Sequence, residues 1–287
     1  MTEPRWISSL RQDVVRLLES GEIVLAIGYE QAPLPGKARP LFVRRPADAA
    51  RLIFDRRCAH NLTVYLTRRE LPKTGKIAVM VKGCDLRSLT SLIQESQVDP
   101  ARVLTLGVAC DGVGPDGKGT ADKCVHCTVR AAADANRVFG QPAPATPTAA
   151  EDAEVARLLA MSPAERLAYW NERLSACIKC YACRAACPMC YCQRCFVERT
   201  RPAWVDPSSH PRGNLAYHMF RAFHLAGRCI SCGECERACP VDIPLMTFNR
   251  RLAQVIKDRF IYEAGNDAEA APPLTAFAMD DPQEFIG

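Results

Sequence analysis

The chain of 287 residues lacks several features that would place a protein in a common functional class. It contains no run of 18 apolar residues, so the sequence predicts no membrane-spanning helix. Its first twenty residues have neither the apolar core nor the cleavage site of a signal peptide, which favours a cytoplasmic location. The net charge of +5 is too small to require a nucleic-acid partner. No pairing of acid and base side chains stands out as catalytic machinery.

Cysteine, by contrast, is abundant. The sequence has 16 cysteines in an otherwise ordinary composition, with 48% hydrophobic and 24% charged residues. In an exported protein this number would indicate disulfides. In a reducing cytosol, clustered cysteines indicate metal ligation. The composition therefore predicts a metal-binding protein of the cytoplasm.

A motif of four cysteines and a proline, C-x2-C-x2-C-x3-C-P, occurs twice in the second half. This spacing is typical of bacterial ferredoxins, in which each run holds an iron–sulfur cubane and gives its fourth cysteine to the other cluster. Zinc sites favour paired C-x2-C units, and a disulfide framework is the other alternative. The two runs are Cys177, Cys180, Cys183 and Cys187 before Pro188, and Cys229, Cys232, Cys235 and Cys239 before Pro240. The predicted ligand sets are Cys177, Cys180, Cys183 and Cys239 for one 4Fe–4S cluster, and Cys229, Cys232, Cys235 and Cys187 for the other.

The first half contains a strand, a helix and a strand in close succession. KIAVMVKG (76–83) and VLTLGVA (103–109) are apolar runs of strand length, and LRSLTSLIQES (86–96) has helical periodicity. Together they predict a parallel βαβ unit. Further strands are predicted at 23–29, 41–45 and 63–67, and a further helix at 47–57.

Four cysteines accompany this βαβ unit. Cys84 and Cys110 each follow a strand, so both lie at the carboxyl edge where open α/β sheets place ligands. The helix that begins beside Cys84 is also expected to lower the pKa of this thiol. With Cys124 and Cys127 the two predict a third 4Fe–4S cluster. The alternative is two buried structural cysteines and a zinc knuckle that lacks half of its ligands.

The remaining cysteines are Cys190, Cys192, Cys195 and Cys58. A C-x-C-x2-C group is too dense for chance core positions, and three thiolates need one more ligand to close a cubane. Cys58 is the only other cysteine without an assigned site, so it would be the fourth ligand. The sequence thus predicts a fourth cluster that bridges the first-half cluster to the ferredoxin pair. Alternatively, Cys58 joins the first-half site and leaves a three-cysteine site with a water ligand.

The predicted fold is an α/β N-terminal domain with a parallel βαβ unit, followed by a mainly helical, dicluster ferredoxin-like (α+β) domain. A capping box of Ser162 and Glu165, with Pro163 between them, begins a helix that leads to Cys177. Helices are also predicted at 214–229 and 244–260; His218 and His224 on the first of these are six residues apart, which argues against a metal site built on this pair. The predicted boundaries are 1–140 for the α/β domain, 141–150 for a Pro/Ala linker, 151–262 for the dicluster domain and 263–287 for an acidic C-terminal tail.

Two groups of motifs resemble a known family. VKGCDLRSL, GVACDG and KCVHC, together with CIKCYACRAACPMCYCQRC, resemble the iron–sulfur beta subunits associated with formate dehydrogenases and heterodisulfide reductases. These are relatives of the coenzyme F420 hydrogenase beta subunits. The segment CGECERACPVDIP is similar to the dicluster subunit of heterodisulfide reductases and to other dicluster ferredoxin modules. The resemblance implies a subunit that works beside flavin- or molybdopterin-bearing and heterodisulfide reductase-like subunits.

Three functions fit these observations. The leading one is a non-catalytic electron-transfer subunit that relays single electrons through several 4Fe–4S clusters. The second is a flavin-containing oxidoreductase subunit of the F420 hydrogenase beta type, which would bind FAD. Against it, flavin-binding relatives have a longer α/β region where this chain reaches its linker at Gln141. The third is a binding module in which metal only stabilises the fold.

Overall fold

The computed structural model describes residues 3–114, 117–141 and 153–273. Its first half is built on a five-stranded sheet with strand order β2-β1-β3-β4-β5. β1 and β2 pair antiparallel, whereas the other neighbours pair in parallel. The sheet is therefore mixed, with one antiparallel edge. The strands are β1 (Leu25–Gln31), β2 (Ala38–Val43), β3 (Ile77–Val81), β4 (Val103–Val108) and β5 (Arg137–Phe139).

The predicted βαβ unit is confirmed. β3 and β4 pair in parallel, with Ile77 opposite Val103, and α2 (Gly83–Gln94) connects them. Every residue of β3 is buried, as expected for a parallel strand covered on both faces. The apolar side of α1 (Ile7–Glu19) packs into the same core. The sheet thus carries the hydrophobic core of the first half.

Two predicted elements are wrong. Residues 63–67 belong to a 3-10 turn, Leu62–Thr67, because the Asn61 side chain accepts a hydrogen bond from the Thr63 N–H (3.1 Å) and caps the turn. The helix predicted at 47–57 is only a short 3-10 turn, Pro46–Arg51. It ends there because the Ile53 N–H donates to the Tyr29 carbonyl (2.8 Å), which holds the chain against β1.

The second half consists of helices joined by cysteine-rich loops. The predicted capping box is confirmed: the Glu165 carboxylate accepts from the Ser162 N–H (2.8 Å), and Ser162 Oγ accepts from the Glu165 N–H (3.3 Å). Between residues 153 and 273 the mainly helical character is confirmed, but no strand is present, so the α+β part of the prediction is wrong there. The helices after α2 are α3 (Asp122–Val125), α4 (Ala153–Ala160), α5 (Pro163–Ser175), α6 (Ala182–Ala186), α7 (Pro211–Leu225), α8 (Glu234–Arg237) and α9 (Leu245–Phe260).

The two halves pack against each other through α2. Leu89 and Leu92 of α2 share a buried cluster with Met189 and Leu225 of the second half. Just past the end of α2, the Glu95 carboxylate accepts a hydrogen bond from Arg228 Nε (2.6 Å). Apolar and charged contacts therefore both hold the halves together.

The chain after α9 returns to the first half. Arg87 of α2 pairs with Glu263 (3.1 Å), and Gln94 Nε2 donates to the Asp267 carbonyl (2.8 Å). The predicted tail, 263–287, thus begins as a segment packed on α2. Its residues 274–287 and nearly all of the predicted linker, 141–150, lie outside the described residues. The domain boundaries stay a prediction. Among the described residues, no helix combines the length and apolar character needed to cross a membrane.

Candidate iron–sulfur centre

The two cysteine runs have the same backbone conformation. Lys179 and Ser231 occupy equivalent positions and have φ values of 52° and 56°, and the equivalent Tyr181 and Gly233 have φ values of 58° and 70°. These left-handed conformations are uncommon and costly for residues other than glycine. A short helix begins after each, α6 after Tyr181 and α8 after Gly233. The repeat in sequence is therefore also a repeat in backbone geometry.

Both loops direct a backbone N–H toward their first cysteine. The Lys179 N–H donates to Cys177 Sγ at 3.4 Å. The Ser231 N–H makes the equivalent hydrogen bond to Cys229. Hydrogen bonds to sulfur stabilise the thiolate form and tune the potential of iron–sulfur clusters. The loop geometry therefore suits anionic ligands.

The first predicted ligand set lies in one neighbourhood. Burial is the largest cause of the raised pKa of Cys177, and the nearby thiols of Cys183, Cys180 and Cys239 raise it further. The hydrogen bond from the Lys179 N–H lowers this pKa and so opposes both effects. Cys239 belongs to the other run. Three cysteines of one loop thus face the fourth cysteine of the other loop, which is compatible with crossed ligation.

The second predicted set is arranged in the same way. Burial raises the pKa of Cys235 to about 12, with Arg221 opposing this and the thiols of Cys187 and Cys229 adding to it. The pKa of Cys232 is also raised, by burial first and by Cys187 second. Cys187 of the first run is therefore near all three loop cysteines of the second run. The ligand assignments themselves stay predictions.

Helix α7 presents a buried polar face to the first run. The Asn214 side chain donates to the Cys177 carbonyl (2.8 Å), and the Tyr217 hydroxyl lies 3.5 Å from Cys183 Sγ. Arg221, which is 5% exposed, donates to the Cys183 carbonyl (3.2 Å). Sequence analysis missed this face, although Asn214 and Arg221 are seven residues apart, a spacing that places them on one side of a helix.

Several buried polar atoms on this face have no partner among the described residues. A buried unpaired polar group costs roughly 1–3 kcal/mol, so its presence indicates a partner that the protein atoms do not supply. Thiolate and sulfide sulfurs of a cluster would accept hydrogen bonds from the donors. The unpaired atoms are Asn214 Oδ1, Arg221 Nε and both ring nitrogens of His218. The thiols around Arg221 are those of Cys187, Cys190, Cys235 and Cys183. On this observation the residues present fit iron–sulfur clusters.

The first-half cysteines gather at the ends of β3 and β4. Desolvation raises the pKa of Cys84 most, and the thiol of Cys110 adds to the rise. Desolvation likewise raises the pKa of Cys110, with a contribution from the thiol of Cys124. The Cys127 N–H is directed at the Cys124 carbonyl (3.5 Å), one turn away. The four predicted ligands therefore occupy one region of the molecule.

The expectation of a lowered pKa at Cys84 is wrong. Cys84 lies in the first turn of α2, yet desolvation raises its pKa and the Asp85 carboxylate raises it further. The Lys82 ammonium opposes this effect, but it forms a buried ion pair with Asp85 (2.7 Å). Desolvation thus outweighs the helix dipole. A bound metal is what would hold this thiol in its deprotonated form.

Lys123 lies between the first-half site and the second run. Its ammonium donates to the Ala59 carbonyl (2.8 Å) and stands 3.5 Å from the Glu234 carboxylate of α8. Burial lowers the pKa of Lys123. The net shift is nevertheless upward, because the Glu234 carboxylate and the thiols of Cys84 and Cys232 raise this pKa. Sequence analysis missed this role, because nothing in KCVHC indicates which residue the lysine faces.

Cys58 lies in the core of the first half. Its side chain is fully buried, and burial raises its pKa to about 12. The thiol accepts a hydrogen bond from the Asp55 N–H (3.4 Å). The ammonium of Lys82, the residue from which α2 begins, lowers this pKa and opposes the effect of burial.

Cys190, Cys192 and Cys195 line one small cavity, with a volume of about 50 Å³. Tyr191 anchors their loop by donating from its hydroxyl to Glu95, just beyond the end of α2. Cys58 is a member of the first-half core and does not line this cavity, and the Cys58 bridge stays a prediction.

Within the described ranges, no group of three or more His, Cys, Asp or Glu side chains has the spacing to hold a single metal ion. A cubane has four irons, and each ligand thiolate binds a different one. Its ligands therefore stand farther apart than those of a single ion. The structure shows groups of thiols that lie close to buried, positively charged side chains.

Comparisons with known proteins support an iron–sulfur centre. A family model described as a 4Fe-4S dicluster domain matches residues 172–243, which contain both cysteine runs. The F420-dependent formate dehydrogenase subunit beta of Methanocaldococcus jannaschii is 39% identical over 107 residues. The F420-dependent formate dehydrogenase 1 subunit beta of Methanococcus maripaludis is 35% identical over 105 residues.

These similarities cover limited parts of each protein. Each matched segment is 37% of this chain, and the chain spans about a quarter, 26%, of the length of both relatives. Among solved structures, a xenon derivative of the F420-reducing [NiFe] hydrogenase complex from Methanosarcina barkeri aligns with a TM-score of 0.31 and 18% identity. This alignment covers 36% of this chain and 38% of that one. With a TM-score this low, the alignment supports no conclusion about the fold or the function of this chain.

Proposed function

We propose that the chain is an electron-transfer iron–sulfur subunit of a multisubunit oxidoreductase. The observation that carries the proposal is the crossed arrangement of the two runs, in which Cys239 neighbours the first loop and Cys187 neighbours the second. The match to a dicluster domain supports the same conclusion independently. Both bear on the metal centre rather than on any substrate.

The residues of the site do what a one-electron carrier requires. When bound, 4Fe–4S clusters supply reversible one-electron chemistry. The protein holds thiolates in loops of fixed backbone geometry, with Lys179 and Ser231 donating N–H groups to sulfur. Arg221 places a buried positive charge among thiols of both runs, which offsets part of the negative charge of a cluster.

We extend the proposal to a third cluster on Cys84, Cys110, Cys124 and Cys127. The contact of Lys123 with Glu234 supports a direct route between this site and the second run, because the lysine is near both Cys84 and Cys232. This order differs from the prediction that a bridging cluster lies between them. In the proposed order, the ferredoxin pair receives or delivers electrons on the side of the second half that faces away from the first-half site.

The proposed partners are other subunits of a redox complex. The relatives are named as beta subunits of F420-dependent formate dehydrogenases, so a formate dehydrogenase, a hydrogenase or a heterodisulfide reductase-like complex is the proposed setting. A flavin- or molybdopterin-bearing subunit would then exchange electrons with this chain. FAD on this chain is a secondary expectation, tested by extracting flavin from the anaerobically purified protein.

The test is the metal content and spectrum of the full chain purified without oxygen. We expect a brown protein whose visible absorbance bleaches on reduction and whose reduced form gives the EPR signals of 4Fe–4S clusters. The variant Cys180→Ala should lose about four irons, while Ser208→Ala, in an exposed loop of the same half, should lose none. A colourless protein that contains zinc would contradict the proposal.

A further inference from the structure

We propose that Cys190, Cys192, Cys195 and His224 are the ligands of a fourth iron–sulfur cluster, distinct from those of the two runs. The inference rests on the proposed iron–sulfur function and goes beyond it in naming a histidine ligand. It also assigns the fourth position to a residue other than Cys58. The structural basis is a cavity that these four side chains share.

The cavity lies between the loop of residues 189–196 and the C-terminal half of α7. All three cysteines and His224 line it. Its volume is about 50 Å³, and a larger cavity of about 430 Å³ shares Cys190, Cys192 and Arg184 in its lining. The two adjoining spaces leave room for a centre larger than one ion.

His224 stands on the side of α7 that faces this loop. Tyr217, Arg221 and His224 are spaced by four and three residues, so they share one face of the helix, and all three line the cavity. The His224 ring packs edge-on against Phe196, the residue after Cys195, with ring centroids 4.8 Å apart. The described part of the chain supplies no hydrogen bond to this ring, so an imidazole nitrogen is available to bind metal.

The charges around the cavity suit an anionic cluster. Arg184, Arg221 and Arg228 all line it. Arg184 is paired with Glu198 (2.6 Å) and Arg228 with Glu95, whereas Arg221 has a buried Nε without a partner among the described residues. A cluster held by three thiolates would supply both the negative charge and the acceptor that Arg221 lacks.

Cys58 fits the position less well than His224. It is fully buried in the core of the first half and does not line the cavity, whereas His224 lines it together with all three cysteines. His224 reaches the cavity without any movement of the backbone. The shared lining therefore favours the histidine.

The experiment compares variants of the full chain after anaerobic reconstitution with iron and sulfide. Four 4Fe–4S clusters would give about 16 irons in the unaltered chain. Cys192→Ser and His224→Ala should each lower this count to about 12, whereas Cys58→Ser and the control His210→Ala should leave it at about 16. His224→Cys should keep about 16, because a thiolate replaces the imidazole.

Pulsed EPR of the reduced protein provides a second readout. A histidine ligand gives a strong coupling of the cluster spin to ¹⁴N, which we expect in the unaltered chain and not in His224→Cys. The same coupling in both proteins would overturn the inference, as would loss of four irons in Cys58→Ser. A count of about 12 or fewer in the unaltered chain, or one zinc in place of the fourth cluster, would also overturn it while leaving the proposed function intact. Absence of any iron–sulfur signal would instead reject the proposed function itself.

Discussion

The cysteines of the first half are attached to a hydrogen-bonded sheet, whereas those of the second half lie in loops between short helices. β3 and β4 pair over five residues, from Ile77 to Val81, and their burial owes nothing to metal. α6 and α8 have five and four residues, which is too short for a helix that is stable on its own. The first half can therefore fold around a hydrophobic core, while we expect the cysteine loops of the second half to depend on what they bind.

The left-handed residues strengthen this contrast. In the second half, Lys179, Tyr181 and Ser231 hold positive φ values within the cysteine loops, at a cost that only surrounding structure can offset. The same region contains buried polar atoms without partners, among them both ring nitrogens of His218. Strained backbone and unpaired buried polar atoms therefore both occur where a bound cluster would offset their free-energy cost.

Metal removal should have the largest effect. We expect an anaerobic chelator to unfold the cysteine loops of the second half while β3 and β4 stay folded, because metal-binding free energy, of order 10 kcal/mol in small structural sites, is folding free energy there. Hydrogen exchange would show this as lost protection in residues 177–239 and retained protection in residues 77–81. Equal loss of protection in both halves would mean that the sheet also depends on metal.

Substitution of Arg221 should have the next largest effect. Arg221→Leu removes the positive charge shared by thiols of both runs and should cost about 3–5 kcal/mol of stability. A unit charge at a distance of a few ångströms contributes about 2–4 kcal/mol, so the cluster potentials should fall by on the order of 100 mV. Arg221→Lys should recover most of the potential, which a redox titration followed by EPR would measure. Unchanged potentials in Arg221→Leu would show that the guanidinium does not face the clusters.

Substitution of Lys123 should have a smaller effect, confined to the junction of the halves. Lys123→Met leaves Glu234 with Arg237 as its remaining partner (2.7 Å), so we expect a stability loss of about 2 kcal/mol. Electron transfer between the first-half site and the second run should slow, which freeze-quench EPR after partial reduction would detect. The exposed Lys257 offers a matched control, Lys257→Met, which should change neither quantity. If both variants behave alike, Lys123 does not lie on the route.

The pH dependence associated with His218 should be the smallest effect. Burial lowers the pKa of His218 to about 4, so the folded state keeps the ring neutral when the unfolded chain, with a pKa near 6.5, is already protonated. The unfolded state then binds more protons, and stability falls as the pH decreases from about 6.5 towards 4. Between pH 7.5 and 5.5 the loss should be about 1.4 kcal/mol. Urea titrations of the unaltered chain and of His218→Phe would differ by this amount, and parallel curves would contradict it.

Much of the fold was predictable from local pattern. The apolar runs at 76–83 and 103–109 and the periodic segment between them identified the parallel βαβ unit, and Ser162 with Glu165 identified a helix start. Such signals depend on residues close together in the chain. Short elements carry too few residues to show a pattern: β5 was not predicted, and the strand expected at 63–67 is a 3-10 turn. There the hydrogen bond from the Thr63 N–H to Asn61 outweighs β propensity.

The sequence by itself determined which residues can bind metal, because thiol spacing within a loop is a local property and both runs repeat it. Only the tertiary structure decided what surrounds those thiols. It placed Arg221 of α7 among the cysteines of both runs, Lys123 between Cys84 and Cys232, and Cys58 in the first-half core, outside the cavity that Cys190 lines. These neighbourhoods depend on how helices and loops distant in the chain pack together, and residue spacing along one segment carries no information about the segment that faces it.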